Sequence, residues 1–219
     1  MRTREQLKKG ANTQVELTSR DFEILKLVNK FRFCLGKHIM VLAGFSGRSA
    51  TDRRLKLLIE AEYLTRRKYM YGVQYLYTLT HKGRILLGSN KRQDKIRIDR
   101  IAHDSYVLDA VIYYVQNFGL SLADIESEKE LHIKDGFGAR KHQADFAVKL
   151  NGERIAVEVE LNPKTKTRME QNIRDNYMNY DGQVWITADN RVLGMLNAFS
   201  EAYSGISILP LEKVRSYAK

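Results

Sequence analysis

An Asn-Gly pair between two alternating stretches is the feature that most constrains how this chain can fold. In residues 144–150 and in residues 154–161, apolar side chains recur at every second position, which is the period of a β-strand with one buried face. Asn151-Gly152 lies between the two stretches and is the strongest short-range signal for a two-residue type I′ turn. Such a turn determines which residues face one another, so we expect Leu150 to pair with Glu153 in an antiparallel hairpin.

Three acidic side chains fall on one face of this predicted hairpin. The expected register places Asp145 directly opposite Glu158, and Glu160 lies diagonally beside them on the same face. The Cβ atoms of directly opposed residues are about 4.5–5.5 Å apart, so these carboxylates would repel one another without a counter-charge. Mg²⁺ or Mn²⁺ accepts carboxylate oxygens and keeps waters for a substrate phosphate. The spacing therefore predicts a divalent metal site formed by Asp145, Glu158 and Glu160.

Two further residues are candidates for the same site. Lys164 follows the second strand and could hold a scissile phosphate or orient an attacking water. Glu128 lies at or near the end of a predicted helix and could join the carboxylates. A simpler interpretation stays open at this point, because an amphipathic strand normally shows its acidic side chains to solvent. Lys149 and Arg154 could also neutralise the carboxylates without a metal.

The remaining pattern of residues 101–219 predicts helices and strands on either side of the hairpin. They are a helix over residues 102–115, a helix after Lys166 with Met169, Ile173 and Tyr177 on one stripe, a strand over 183–187, a helix over 190–203 and a last strand over 206–211. His103 and Tyr106 share one face of the first of these helices. For His103, a hydrogen-bonded histidine in a packed helix is a simpler interpretation than catalysis.

Charge is divided unevenly along the chain. Residues 1–100 contain 23 Lys and Arg residues against 9 Asp and Glu, whereas the rest of the chain contains 14 against 17, within a net charge of +11. A basic module favours polyanions, and for a cytoplasmic protein this usually means nucleic acid. We expect a cytoplasmic protein without a membrane span, because there is no apolar signal segment, no run of about 20 apolar residues and only one cysteine, Cys34.

The basic half predicts three helices followed by a hairpin. In order, these are a helix capped by Thr18 and Asp21 that ends near Arg32, a helix over 37–43, a helix capped by Ser49 that buries Leu55, Leu58 and Ile59, and strands over 64–70 and 74–79 joined across Tyr71-Gly72. This is the order of a winged helix-turn-helix, whose third helix can lie in a DNA major groove.

Seven cations lie within 21 residues of the third helix and the first strand of this hairpin, where they could follow a phosphate backbone. The predicted DNA-binding residues are Arg48, Ser49, Arg53, Arg54, Lys56, Arg66, Arg67 and Lys68.

The second half resembles the PD-(D/E)xK restriction-endonuclease-like superfamily. A helix-borne Glu128, then Asp145, then Glu158-Val159-Glu160 on the next strand carry this resemblance. The usual lysine of the third motif is replaced by Glu160, as in some restriction enzymes, and Ala144 replaces the usual proline. The combination of the winged-helix pattern with the segments HDSYVLDAVIYYV, SEKEL, ADFAVKL and IAVEVELNPKTKTRMEQNIRDNY also resembles, over most of residues 18–200, the replication-relaxation proteins and MobC-type mobilisation relaxases.

The resemblance implies an α+β chain in which an N-terminal winged helix-turn-helix precedes an α/β restriction-endonuclease-like domain with a mixed central sheet. Together with the residue patterns, it divides the chain into a flexible basic N-terminus (1–17), the winged helix (18–88), a basic linker over the polar, basic residues 89–100, and the nuclease-like domain (101–219). The implied activity is metal-dependent nicking of double-stranded DNA at a plasmid or mobile-element transfer origin. A coupling ATPase and relaxosome accessory proteins are candidate partners, and a homodimer is a candidate assembly. The metal ligands would be Asp145, Glu158, Glu160 and Glu128, with Lys164 on the phosphate or water.

Two other classes of function stay open on the sequence. The missing third-motif lysine is compatible with a non-catalytic DNA-binding protein, such as a replication initiator, a relaxosome accessory factor or a transcriptional regulator. Alternatively, the acidic face around Glu158 and Glu160 could bind a basic protein partner.

Overall fold

The structure, a computed structural model, describes residues 15–69, 71–72, 74–89, 95–135 and 142–217. The chain divides into two compact units, Met1–Lys95 and Ile96–Lys219, and the division falls inside the segment 89–100 that the sequence predicts as a linker. Most of the predicted N-terminal segment, residues 1–14, and residues 90–94 of the predicted linker lie outside the described residues. Within the described ranges, no helix is both long and apolar enough to cross a membrane.

The first unit contains the three predicted helices and the predicted hairpin. Its described elements are α1 (Ser19–Phe31), β1 (Cys34–Leu35), α2 (Gly36–Leu42), α3 (Arg48–Glu60), β2 (Leu64–Arg67), β3 (Leu76–Leu79) and α4 (His81–Leu86). The three strands form an antiparallel sheet in the order β1-β3-β2. Neither β1 nor α4 was predicted from the sequence. Both hairpin strands are shorter than predicted, and the ladder pairs Leu64–Arg67 with Leu76–Leu79.

Local sequence explains where α1 begins, whereas the cap predicted for α3 is wrong. At the start of α1, the Asp21 carboxylate accepts hydrogen bonds from the Thr18 amide at 2.6 Å and from its hydroxyl at 2.8 Å, as the predicted cap requires. The N-cap of α3 is Gly47, so the prediction that Ser49 caps this helix is wrong, and Ser49 lies exposed in the first turn. Leu55 and Leu58 of α3 are buried as predicted.

The second unit is built on a mixed five-stranded sheet in the order β4-β5-β6-β7-β8. Its described elements are α5 (Ile101–Phe118), β4 (Ile125–Ser127), α6 (Glu128–Lys134), β5 (Phe146–Leu150), β6 (Glu153–Val159), α7 (Lys166–Asn179), β7 (Gly182–Thr187), α8 (Asn190–Ser200), β8 (Ile206–Pro210) and α9 (Leu211–Tyr217). Strands β4, β5 and β6 pair antiparallel, whereas β6, β7 and β8 are parallel. The α+β class and the mixed sheet are therefore confirmed.

The predicted hairpin register is confirmed. Leu150 pairs with Glu153, and the ladder continues to the pair formed by Phe146 and Val157. The turn residues Asn151 and Gly152 have φ angles of 53° and 88°, and a type I′ turn requires positive values at both positions.

Two predictions about helices of this unit are wrong. Glu128 is the first residue of α6, not near the end of a helix, because the preceding residues form the short strand β4. Tyr177 is half exposed, and the buried stripe of α7 consists of Met169, Asn172, Ile173 and Asn176. One polar member of this stripe, Asn176, contacts the candidate site described next.

Candidate functional sites

The exposed face of α3 is basic. The side chain of Arg48 is 87% exposed and that of Lys56 is 76% exposed, and each is paired with an acidic residue one turn later, at 3.6 Å from Asp52 and 3.8 Å from Glu60. Arg53 is also exposed on this helix. Exposed ion pairs of this kind contribute about 0–1 kcal/mol to stability. Each cation could therefore leave its carboxylate and bind a phosphate at little cost in free energy.

Arg54 differs from the other cations of α3, because its guanidinium binds within the protein. Its Nε donates to Asp21 Oδ1 at 2.6 Å, a second nitrogen contacts Asp21 Oδ2, and the same nitrogen donates to the Glu16 carbonyl at 2.9 Å. Asp21 is fully buried. In the structure, Arg54 therefore links α3 to α1, whereas the other predicted cations of this helix are exposed.

The β2–β3 hairpin carries cations next to tyrosine rings. The guanidinium carbon of Arg66 lies 5.0 Å from the centroid of the Tyr75 ring, and Lys68 Nζ lies 5.5 Å from that of Tyr71. Arg66, Arg67 and Lys68 are all exposed. The predicted basic residues of this hairpin thus lie on its surface.

The carboxyl end of β6 brings the candidate residues of the second unit together. In open α/β sheets, ligands bind outside the carboxyl ends of parallel strands, and β6 is the first of the three parallel strands here. Glu158 is the last residue but one of this strand, and Glu160 follows its last residue. Both side chains are largely buried.

Asp145 lies just before β5 and interacts with the end of β6. Its Oδ2 accepts a hydrogen bond from the Val159 amide at 2.8 Å, and the same oxygen lies 3.2 Å from His103 Nε2. His103 Nε2 also lies 3.0 Å from the Val159 carbonyl, which confirms the interpretation of His103 as a hydrogen-bonded histidine in a packed helix. The Asp145 carboxylate therefore serves as a main-chain acceptor at the strand end.

Arg100 connects Asp145 to the other predicted acid, Glu128. Its guanidinium nitrogens lie 3.6 Å from Asp145 Oδ1, 4.0 Å from Glu128 Oε1 and 3.6 Å from Asp104 Oδ1. The Glu128 amide also donates to the Asp145 carbonyl at 3.0 Å. Glu128 thus lies near Asp145 as expected, with an arginine between the two carboxylates.

Glu158 and Glu160 have separate partners. Glu158 Oε1 lies 2.5 Å from His142 Nε2 and accepts a hydrogen bond from Asn176 Nδ2 at 2.9 Å. Glu160 forms an ion pair with Lys164, which lies four residues later. The predicted proximity of Lys164 to the acidic residues is therefore present. Lys149 and Arg154 were the alternative residues that could neutralise the carboxylates without a metal. They lie opposite each other across the hairpin, and Arg154 Nε donates to Glu126 Oε2 at 2.8 Å.

The arrangement does not form one metal-ligand set. Among the described residues, no three His, Cys, Asp or Glu side chains come together in a group that could hold a metal ion. Asp145, Glu158 and Glu160 instead each contact a different basic side chain. As they stand, these residues do not fit Mg²⁺ or Mn²⁺, which needs several oxygen ligands around one point.

Electrostatics favour the charged forms of His103, His142 and Asp145. Burial opposes protonation of His103, but the hydrogen bonds to Asp104 and Asp145 outweigh it and raise its pKa to about 10. Burial opposes protonation of His142 as well, yet Glu158 holds its pKa above the ordinary value. Burial would raise the pKa of Asp145, but its contacts with His103, the Val159 amide and Arg100 bring it below the ordinary value.

Four residues of this cluster were not predicted from the sequence: Arg100, Asp104, His142 and Asn176. Most of their contacts join residues far apart in the chain, such as His142 and the Glu158 carboxylate 16 positions later, and no spacing rule links such a pair. Two signals were available in the sequence: Arg100 and Asp104 have the i,i+4 spacing of an ion pair on a helix, and Asn176 lies one turn after the apolar Ile173.

The chain matches no protein-family model, no curated protein and no solved structure.

Proposed function

We propose that this chain is a duplex-DNA-binding protein whose first unit acts as a winged helix-turn-helix. The observation that carries the proposal is the basic exposed surface formed by α3 and the β2–β3 hairpin, with Arg48, Arg53 and Lys56 on the helix. The helix supplies contacts for a major groove and the hairpin cations follow the adjacent phosphates.

The order of elements supports the same proposal. Three helices precede a two-stranded hairpin, and the short strand β1 pairs with β3 to complete a small sheet. The Asp21–Arg54 contact joins α1 to α3, so the basic helix is held by a buried carboxylate. A rigid helix loses less conformational entropy on binding than a mobile one, which favours affinity.

Fluorescence anisotropy with a labelled duplex, measured over a range of salt concentrations, tests the proposal. Replacing Arg53 with alanine should weaken binding, and the slope of log K against log salt should become shallower by about 0.9 for each phosphate that the variant leaves without its cation. Lys26→Ala is the matched control, because Lys26 is an exposed cation of the same unit on α1. Equal effects of the two substitutions would mean that the chain attracts DNA only through its net positive charge and not through α3. An absence of duplex binding would overturn the proposal.

Metal-dependent nicking at a transfer origin is a second candidate function. The observation that favours it is the hairpin register, which brings Asp145 and Glu158 to the same end of β5 and β6. For Mg²⁺ or Mn²⁺ to bind Glu158 and Glu160, His142 and Lys164 would first have to leave these carboxylates. This candidate therefore requires a rearrangement that DNA binding does not.

Calorimetry with Mn²⁺ and nicking of a supercoiled plasmid bearing the origin separate the two candidates. Nicking predicts Mn²⁺ binding and an activity that Glu158→Gln abolishes while duplex affinity is unchanged. Glu153→Gln is the matched control, because Glu153 is an exposed glutamate on the same strand. Without Mn²⁺ binding at millimolar concentration, the chain would remain a non-catalytic DNA-binding protein, with its acidic cluster available to a basic partner.

A further inference from the structure

Two tyrosines of the β2–β3 hairpin are exposed, whereas a third tyrosine of the same hairpin is buried. Tyr71, in the turn of the hairpin, is 99% exposed, and Tyr75, just before β3, is 47% exposed. Tyr77, two residues further on, is buried in β3. A large aromatic ring in water contributes nothing to the core, so the folding of the first unit does not explain Tyr71.

Each exposed ring has a cation above it. Lys68 lies over Tyr71 and Arg66 over Tyr75, with centroid distances of 5.5 Å and 5.0 Å. At exposed sites a cation–π contact is weak, but it is enough to bias the ring orientation. Because Tyr71 is almost completely exposed, the cation leaves most of the ring accessible. The hairpin thus presents positive charge and flat aromatic surface together.

This combination matches unpaired nucleic-acid bases better than an intact duplex. Inside a duplex, bases stack on one another and present only their edges to the grooves. An unpaired base exposes its flat face, on which an aromatic side chain can stack while nearby cations contact the backbone. We infer that the hairpin recognises unpaired bases in DNA bound by the first unit, with Tyr71 as the stacking platform and Tyr75 beside it.

The inference rests on the proposed DNA binding and deepens it, since it names the form of DNA that the same unit prefers. The test compares a duplex with the same duplex carrying a short unpaired loop at its centre, by anisotropy. The wild-type chain should bind the looped DNA about 10-fold more tightly, and Tyr71→Ala should remove this preference while its affinity for the plain duplex changes less than about 2-fold. Tyr71→Phe should keep the preference, because it retains the ring.

A fluorescent adenine analogue in the loop supplies a second readout, because stacking on Tyr71 should quench its emission in the wild type and not in Tyr71→Ala. Tyr177→Ala is the control, since Tyr177 is a half-exposed tyrosine of the second unit. Equal affinity of the wild type for both DNAs would overturn the inference while leaving duplex binding intact. An equal loss for both DNAs in Tyr71→Ala would also overturn it, and would make the ring a duplex contact. Failure to bind either DNA would overturn both proposals.

Discussion

The two units each hold a carboxylate with a cation from a neighbouring element, and the nature of the cation differs. In the first unit, Asp21 is paired with Arg54, which keeps its charge at every pH at which the chain could fold. In the second, Asp145 is paired with Arg100, which also keeps its charge, and with His103, whose charge is lost within an accessible pH range. The first pair is therefore a permanent structural link. The second is a titratable group at the carboxyl end of a strand, where functional sites are common.

The largest expected effect is on the stability of the first unit in Arg54→Ala. The substitution leaves the fully buried Asp21 carboxylate without its main partner, which should lower the free energy of unfolding by about 3–5 kcal/mol. Urea unfolding followed by circular dichroism measures the loss. Trp185, the only tryptophan, is buried in the second unit, so its fluorescence should report a transition at unchanged urea concentration. Arg53→Ala, an exposed neighbour on α3, is the matched control, and equal stability of the two variants would contradict the assignment of Arg54.

The next effect is a loss of stability of the second unit at alkaline pH. The pKa of His103 is raised to about 10 from an ordinary value of about 6.5, so its stabilisation is complete below about pH 6.5 and is lost as the pH rises towards 10. The free energy of unfolding of the second unit should fall by an amount on the order of a few kcal/mol. Urea unfolding followed by Trp185 fluorescence, with a chelator present, measures this decrease as a lower urea midpoint.

The first pair should respond at the opposite end of the pH scale. Burial would raise the pKa of Asp21, but Arg54 and Thr18 lower it below the ordinary value, so its stabilisation is present above about pH 4 and is lost as the pH falls through the folded-state pKa.

His103→Gln should flatten the alkaline decline of the second unit without altering this acid response. A variant that declined as steeply as the wild type between pH 6.5 and 10 would exclude His103 as the source.

A smaller effect is expected at the turn that aligns β5 and β6. Gly152 has a φ angle of 88°, which an alanine adopts only with strain, so Gly152→Ala should destabilise the second unit by about 1 kcal/mol. Gly194→Ala serves as a control of opposite sign, because Gly194 lies within α8 and an added Cβ there meets no atom within 4 Å. Alanine at that position should stabilise by up to about 1 kcal/mol. Equal shifts of the urea midpoint in both variants would show that the positive φ angle at Gly152 does not determine the effect of an alanine there.

The smallest expected effect on stability concerns the exposed pair of Arg48 and Asp52. Asp52→Asn should change the free energy of unfolding by less than about 0.5 kcal/mol, in contrast to the buried pair of Arg54. The same substitution should strengthen duplex binding, because it removes a negative charge from α3 and frees Arg48 for a phosphate. Anisotropy and urea unfolding of one preparation give both values. A loss of DNA affinity would mean that α3 is not the surface that meets the duplex.

Local patterns predicted most of the helices and strands because their information lies within a few residues. The Asn151-Gly152 turn determined the register of β5 and β6 as far as the pair of Phe146 and Val157. The short strands β1 and β4 were missed, since two or three residues cannot show a period and their pairing depends on distant strands. The exposed Tyr177 was assigned to the core for a related reason, because helical spacing does not say how wide the buried face is.

The candidate site at the end of β6 also has one part that local sequence determines and one part that depends on contacts between distant residues. The sequence by itself determined the hairpin that brings Asp145 and Glu158 to one end of the sheet, because a two-residue turn transmits its geometry along the ladder. Only the tertiary structure decided that Asp145 contacts His103, that Glu158 contacts His142 and Asn176, and that Arg54 faces Asp21 and not solvent. Such pairings join residues brought together by packing of separate elements, and the free energy of burying a charge, not any spacing in the chain, selects them.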